Sequence, residues 1–154
     1  MVNRHREILS VEIECGNIFN LDTEGTGWFI GFSSWTRNSQ VAGLPQSPAD
    51  LRFMPAEALV QSLQVKWMVH PAGDPRGATK PASKGRTISI LVSETGRFII
   101  EIAPDARFDP CRVERHLLRH HGDFLIWGAG LYHRWWVEET CTILTIRWVP
   151  VSQG

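Results

Sequence analysis

One stretch near the C-terminal end of the chain, residues 122–137, does most to limit the folds that the sequence can adopt. It consists of an apolar run over 124–127, a Gly-Ala-Gly step, and a second run that begins with a histidine. Glycine supplies the positive-φ backbone that a tight reversal needs. In the second run, period-2 alternation places His133, Trp135 and Val137 on one face. The stretch therefore predicts two strands joined by a tight turn, with His133 projecting into the space that the sheet encloses.

Strand signals recur along the rest of the chain, whereas helix signals are scarce. Apolar alternation and bounding turn residues predict strands over 9–14, 26–32, 64–70, 86–93, 97–102, 117–121, 123–127, 132–138 and 141–149. Residues 38–50 predict a long loop. Residues 55–63 fit either two turns of helix starting at Pro55 or an edge strand. Many short strands with little helix are typical of an all-β barrel or sandwich.

The stretch around His133 resembles the second signature of the cupin superfamily, G-x5-P-x-G-x2-H-x3-N. Gly122, Gly130 and His133 fall at the spacing of the signature. Gly128 stands where proline is usual, and Val137 stands where asparagine is usual. The similarity is closest to small bacterial single-domain cupins of unassigned activity.

The resemblance covers residues 62–150 and implies the cupin double-stranded β-helix, a jelly-roll-like barrel with little helix. The expected organisation is one domain over 1–154, in which N-terminal strands and a loop over 1–61 precede the barrel core. Such a fold hosts many chemistries, so the resemblance specifies a fold and leaves the activity open.

The charge, the cysteines and the N-terminal residues of the chain indicate which partners and which compartment to expect. The 154 residues include 16 basic and 16 acidic side chains, so no global field favours nucleic acid or an anionic membrane. Three widely spaced cysteines without a CxxC pair indicate a reducing cytoplasm. The N-terminus contains no long apolar run, so neither a signal peptide nor a membrane span is predicted.

Many cupins bind a metal ion through two histidines and a glutamate of a first signature, together with the histidine of the second. Here residues 78–85 contain no His, Asp or Glu, and the glutamate position falls on Ser89 or Thr87. Of the usual ligands only His133 remains, so no metal and no other cofactor are predicted. A metal shell that includes His70 and His133 is the alternative. His70 otherwise reads as a strand-end histidine that is hydrogen-bonded to backbone.

A second group of histidines lies at His116, His120 and His121. On a helix, His116 and His120 would stack at i and i+4, which is a spacing that zinc sites use. The resemblance instead implies a strand and hairpin here, and Arg115 and Arg119 would repel a cation. The segment is therefore predicted to be a solvated, basic strand end.

Polar and aromatic side chains on the predicted strands give a candidate binding site around His133. The predicted ligand-binding residues are Trp67, Thr87, Ser89, Trp127, Trp135 and Arg147. Arg147 in a tryptophan-lined cavity would attract a carboxylate or phosphate. The alternative is that Arg147 is an exterior residue paired with Glu138 or Glu139. His133 is the candidate general acid or base, and Glu101 is the nearest candidate for a second catalytic group.

Three functions follow from this set. The first is a metal-free isomerase, lyase or cyclase in which His133 transfers a proton on a small polar or anionic molecule. The second is a non-catalytic module that binds or senses such a molecule. The third is a metal-dependent cupin, such as a dioxygenase, with an unorthodox shell. A homodimer is also predicted, since seven tryptophans exceed what one small core hides. Whether the loop over 38–50 covers the mouth of the barrel as a lid is left open by the sequence.

Overall fold

The computed structural model describes residues 12–23, 25–30, 51–52, 59–74 and 81–151. Nearly all of the regular structure in them is strand. The strands are β1 (Ile13–Asn17), β2 (Val60–His70), β3 (Arg86–Leu91), β4 (Arg97–Ala103), β5 (Glu114–Leu118), β6 (Asp123–Trp127), β7 (Tyr132–Glu139) and β8 (Cys141–Pro150). A 3-10 turn, Ile18–Asn20, follows β1. No helix in the described part of the chain has the length and apolar character that a membrane crossing requires.

The described strands form two antiparallel sheets. The larger sheet has the order β1-β6-β3-β8-β2, and the smaller has the order β5-β4-β7. From β3 to β8 the chain passes back and forth between the sheets, which is the winding of a jelly roll. The predicted all-β class and the jelly-roll-like barrel are therefore confirmed.

The register of the larger sheet determines which side chains face the smaller sheet. Thr87 of β3 lies opposite both Arg147 of β8 and Trp127 of β6, and Arg147 lies opposite Gln64 of β2. Directly opposite residues of antiparallel strands project to the same face. One row of side chains thus crosses four strands on the inner face, and it contains three of the predicted binding residues.

Two apolar layers hold this arrangement together. Between the sheets, Leu91, Ile100, Leu125 and Ile143 pack with other buried residues in the main core. The second layer covers the outer face of the larger sheet, where Ile88 and Trp148 are among the buried residues. Burial of apolar surface on both faces explains why β6 reads as a nearly continuous apolar run.

β2 reverses the usual arrangement of polar and apolar faces. Gln64 and Lys66 point inward and line a cavity. Leu63, Val65, Trp67 and Val69, here called the apolar strip, are 60–65% exposed. The inner face of β2 is therefore polar, while the apolar strip on its outer face remains in contact with solvent.

Several predicted boundaries need correction. Residues 26–30 are described and form no strand, because Gly25 and Gly27 adopt positive φ and Thr26 closes a turn onto Thr23. β5 ends at Leu118 rather than 121. The backbone amides of Arg119 and His120 donate hydrogen bonds to the Asp123 carboxylate, so the chain turns there instead of continuing as a strand.

The remaining N-terminal predictions are tested only in part. The opening strand predicted over 9–14 is described from Ile13 and extends to Asn17. In the segment 55–63 the strand alternative holds from Val60 onward. The loop predicted over 38–50, and with it the question of a lid, lies outside the described residues, and the boundary between 61 and 62 stays a prediction.

Gly85 packs against the backbone of β8, and this contact gives a stability prediction. A Cβ added at Gly85 would overlap the carbonyl oxygen of Trp148, which belongs to the sheet and cannot move aside cheaply. We expect Gly85→Ala to lower the free energy of unfolding by about 1–3 kcal/mol, the usual cost of overpacking, as measured by urea denaturation. The control is Gly16→Ala, whose new Cβ would make ordinary contacts of 3.5 Å or more with Phe124. Equal losses in the two variants would contradict the prediction.

Candidate binding site

A cavity of about 350 Å³ lies between the two sheets and is here called the barrel cavity. Its aromatic and aliphatic lining comes from Trp127, Trp135, Phe98, Ile100 and Ile143, and Val65 of the apolar strip borders its edge. Its polar lining, apart from two histidines, comes from Gln64, Lys66, Thr87, Ser89, Thr145 and Arg147. Apolar walls with a few convergent polar groups are typical of small-molecule sites.

His133 lies on β7 and borders the barrel cavity, as the alternation of that strand predicts. Its ring centroid is 5.1 Å from that of Trp127. His133 lies opposite Ile102, a fully buried residue of β4, so its side chain shares the inner face of the smaller sheet. His133 also borders a second cavity of about 310 Å³, the side cavity, which it shares with Gln64 and Arg147.

His70 lines the same cavity, so the structure brings the two histidines to one space. Only 2% of His70 is exposed, and its Nδ1 lies 3.0 Å from the Asp74 carboxylate. Its ring packs edge-on to Trp135 at 4.6 Å between centroids. The interpretation of His70 as a histidine bonded to backbone is therefore corrected: its hydrogen-bond partner is a carboxylate.

Arg147 faces the barrel cavity rather than the exterior. Its Nε donates a hydrogen bond of 2.9 Å to Thr87 Oγ1. Glu138, one of the two exterior partners considered from the sequence, instead pairs with Arg97 at 3.0 Å. No carboxylate occurs among the described residues that line the cavity. Of the two interpretations of Arg147, the geometry therefore favours the one that places it in a binding site.

Hydroxyl groups in and next to the barrel cavity are hydrogen-bonded to neighbouring side chains. Ser89 Oγ and Thr145 Oγ1 lie 3.2 Å apart on neighbouring strands. Trp127 Nε1 donates to Ser83 Oγ at 3.1 Å, and the amide of Ser83 donates to Leu131. Hydrogen-bonded polar groups of this kind can remain in an apolar interior at little cost. Ser83 thereby attaches the segment before β3 to the turn that precedes His133.

Two predicted site residues lie away from this cavity. Glu101 projects from β4 on the opposite face, where its carboxylate lies 2.8 Å from Arg134 and 3.4 Å from Arg115. Burial alone would raise the pKa of Glu101, but the hydrogen bonds and charges of these two arginines outweigh it and lower the pKa. Trp67 belongs to the exposed apolar strip. Neither residue can act together with His133 in this arrangement.

The sequence interpretation also missed several lining residues. Gln64, Lys66 and Thr145 border the cavity but were absent from the predicted site. The signal that could have found Gln64 and Lys66 is the alternation of β2, in which they share one face with His70, and the alternation of β8 likewise places Thr145 on the face of Arg147. Ser83 gave no comparable signal, because it precedes a strand and acts through a tryptophan that is distant in sequence.

The donor set does not fit the metal site that many cupins carry. His70 and His133 reach one cavity, but His70 is bound to Asp74, and the remaining polar lining consists of hydroxyls, an amide and two cations. Within the described ranges, no group of three or more His, Cys, Asp or Glu side chains is placed to hold a metal ion. Divalent transition metals need several such ligands.

The three histidines near β5 do not form the predicted solvated cluster as a whole. His116 lies on β5 with only 14% of its side chain exposed, and its Nε2 is 2.8 Å from Glu114. His120 and His121 lie in the following turn and are exposed. The prediction of a solvated strand end thus fails for His116, because this residue lies opposite Ile100, a residue of the main core, on the inner face of the smaller sheet.

Comparison with known proteins gives information about the fold only. No family model and no curated protein matches the chain. Its similar solved structures are cupin-fold proteins. Three of them are a TDP-quinovose 3,4-ketoisomerase from Campylobacter jejuni, the iron(II) form of HppE in complex with substrate, and the protein BH2720 from Bacillus halodurans.

The likeness to these three structures is distant. Identities are 11%, 11% and 14%, and TM-scores are 0.44, 0.43 and 0.45, respectively. The matches cover 59%, 59% and 60% of this chain. They span 65%, 52% and 65% of the other chains, which is less than two thirds in each case. A likeness at this level says nothing about the activity of the chain.

Proposed function

We propose that this chain binds a small anionic molecule in the barrel cavity, with Arg147 as the anchor for a carboxylate or phosphate group. The observation that carries the proposal is the charge of the lining. Arg147 and Lys66 both border the cavity, and no carboxylate does so among the described residues. A space whose described lining holds two cations and no anion favours a negatively charged occupant.

The local geometry supports Arg147 in this role. Its hydrogen bond to Thr87 uses Nε and fixes the orientation of the guanidinium group. Its two Nη groups can donate paired hydrogen bonds to two oxygens of a carboxylate or phosphate. Trp127 and Trp135 border the same space and limit the water around the ligand, which strengthens the attraction between opposite charges.

We further propose that His133 transfers a proton on the bound molecule. A histidine in a partly apolar cavity suits this role, because its ordinary pKa lies close to neutral pH. His133 borders the barrel cavity and the side cavity, as Arg147 does, so a ligand held by Arg147 can contact the imidazole. The reaction would be an isomerisation, elimination or cyclisation that requires no redox partner.

A non-catalytic binder is the second candidate, and a specific observation favours it. Glu101, the predicted second catalytic group, is bound by two arginines on the other face of β4. Among the described lining residues, the acid–base groups are two histidines and Lys66, and none is a carboxylic acid. Binding or sensing of an anion requires nothing more.

A titration of tryptophan fluorescence tests the binding proposal directly. The probes are a panel of small carboxylates and phosphate monoesters, with uncharged polyols and amines of similar size as controls. We expect saturable changes with anions only, because Trp127 and Trp135 line the cavity. A response to polyols or amines that equals the response to anions would overturn the proposal.

His133→Gln separates the enzyme from the binder. For any anion of the panel that the wild-type chain converts, we expect this variant to lower kcat by about 10²–10⁴-fold, the usual contribution of a general acid or base. A chelator should leave the wild-type rate unchanged. The control is His121→Gln, an exposed histidine in the turn after β5. Conversion that survives in His133→Gln would remove His133 from the mechanism, and binding without any conversion by the wild type would establish the binder.

A further inference from the structure

The side cavity continues the barrel cavity along the inner face of the larger sheet. Gln64, His133 and Arg147 line both cavities. Beyond them the side cavity is lined by Ser62 and Val149, which lie opposite each other on β2 and β8, two residues farther along each strand. Residues two apart on a strand share a face and are separated by about 7 Å. The two cavities therefore adjoin, with Arg147 at the junction.

The linings of the two cavities differ in character. Trp127 and Trp135 line the barrel cavity, whereas the described lining of the side cavity includes no aromatic ring other than that of His133. Lys84 and Arg147 both border the side cavity, and no Asp or Glu does so among the described residues. A polar recess with two cations suits a compact acidic group better than a ring.

The backbone that carries Lys84 is fixed on both sides. Two backbone hydrogen bonds join Ser83 to the turn between β6 and β7, and its hydroxyl accepts a third from Trp127. Gly85, on the other side, packs closely against the backbone of β8. Lys84 therefore extends from an ordered segment at the side cavity, which lowers the entropic cost of holding a ligand there.

We propose that the side cavity is a second anion subsite and that the ligand of this chain carries two acidic groups, one bound by Arg147 and the other by Lys84. This subsite rests on the proposed function, because Arg147 is the anchor for the first group. The aromatic lining of the barrel cavity suits the uncharged part of the ligand. The ligand class is thereby narrowed from small anions in general to small molecules with two acidic groups.

Isothermal titration calorimetry with matched pairs of probes tests the second subsite. The pairs are succinate, adipate and suberate with their monomethyl esters, and propanediol bisphosphate with propanediol monophosphate. We expect the diacid of the best-matching length to bind about 5-fold more tightly than its partner with one acidic group, as one further ion pair at a partly open site provides. Equal affinities within every pair would overturn the proposal.

Variants assign this preference to a residue. Lys84→Met is expected to abolish the preference for the diacid and to change the Kd of the monoester by less than about twofold. Lys84→Arg keeps the charge and should keep the preference. The matched control is Arg107→Met, which removes one positive charge from a side chain that is 81% exposed and lines neither cavity.

The same preference could instead arise at Lys66, which lines the barrel cavity. A preference that persists in Lys84→Met and disappears in Lys66→Met would overturn the proposal, because the second acidic group would then lie in the barrel cavity. Loss of the preference in Arg107→Met would also overturn it, since the effect would then reflect overall charge.

The second subsite and the proposed function fail in distinguishable ways. If monoacids bind and depend on Arg147 but diacids gain nothing, the anion-binding function stands and the second subsite alone is wrong. If no member of either series binds, or if Arg147→Met binds every probe as tightly as the wild type, the proposed function is wrong and the second subsite falls with it.

Discussion

Trp127→Ala is expected to lower the free energy of unfolding by about 3–5 kcal/mol, the usual cost of truncating a fully buried aromatic side chain. Only 1% of Trp127 is exposed, and the residue packs in the main core. The truncation would also leave the hydroxyl of Ser83 without its hydrogen bond from the indole. Urea unfolding followed by circular dichroism measures the effect and does not depend on tryptophan emission.

Trp67→Ala is the matched control for this prediction. Trp67 is 65% exposed on the apolar strip, so we expect a change within about 0.5 kcal/mol, as for most surface substitutions. It should also leave anion binding unaffected, because Trp67 does not line the barrel cavity. A loss as large as that of Trp127→Ala would show that the apolar strip of β2 is buried in solution.

Arg147→Met is expected to weaken the binding of the tightest carboxylate or phosphate ester of the panel by about 100-fold, or about 2.7 kcal/mol. Methionine keeps much of the length of the side chain but removes both the charge and the paired donors. Hydrogen bonds to charged groups are each worth roughly 1.5–3 kcal/mol, so the loss of one such interaction accounts for the effect. Isothermal titration calorimetry measures the change in Kd.

The control for Arg147→Met is Arg97→Met, since Arg97 pairs with Glu138 and both side chains are about half exposed. We expect Kd to change by less than about twofold there, because exposed ion pairs contribute little and Arg97 does not line the cavity. Raising the salt concentration should weaken binding to the wild-type chain more than to Arg147→Met. Equal affinities of Arg147→Met and the wild type would remove Arg147 from the site.

Local signals explain the parts of the fold that the sequence predicts well. β6 is observed over Asp123–Trp127, the residues predicted for it, and β7 differs from its prediction by one residue at its C-terminal end. The intervening turn needs glycine, and Gly130 indeed adopts φ of 86°. Alternation along β7 correctly placed His133 and Trp135 on the cavity side. Such features depend on a few adjacent residues, so one sequence is enough to predict them.

The inner and outer faces of β4 and β2 were harder to assign from the sequence. Hydropathy does not distinguish the two faces when both are largely apolar, and it gives the wrong face when the inner one is polar. Phe98, Ile100 and Ile102 occupy the inner face of β4, and this parity already places Glu101 outside. The apolar side chain of Trp67 suggested a cavity wall, yet β2 directs Lys66 inward instead. The choice between the two faces of β2 depends on its pairing with β8, which local pattern does not specify.

Long-range contacts lay beyond the sequence altogether. Asn17 and Asp123 lie 106 residues apart, so no spacing rule connects them. The pairing of β1 with β6 places them opposite each other, and their side chains form a hydrogen bond. The same applies to Ser83 and Trp127, whose hydrogen bond joins the segment before β3 to the end of β6.

The reversed faces of β2 have a consequence for the behaviour of the chain in concentrated solution. Basic and acidic side chains are equal in number, so mutual repulsion between molecules is weak near neutral pH. The only charged side chain of β2, Lys66, borders the interior cavity and cannot shield the outer surface of the strand. Sulfate and similar excluded salts strengthen contacts between apolar surfaces. We therefore expect sulfate to promote contacts between the apolar strips of neighbouring molecules.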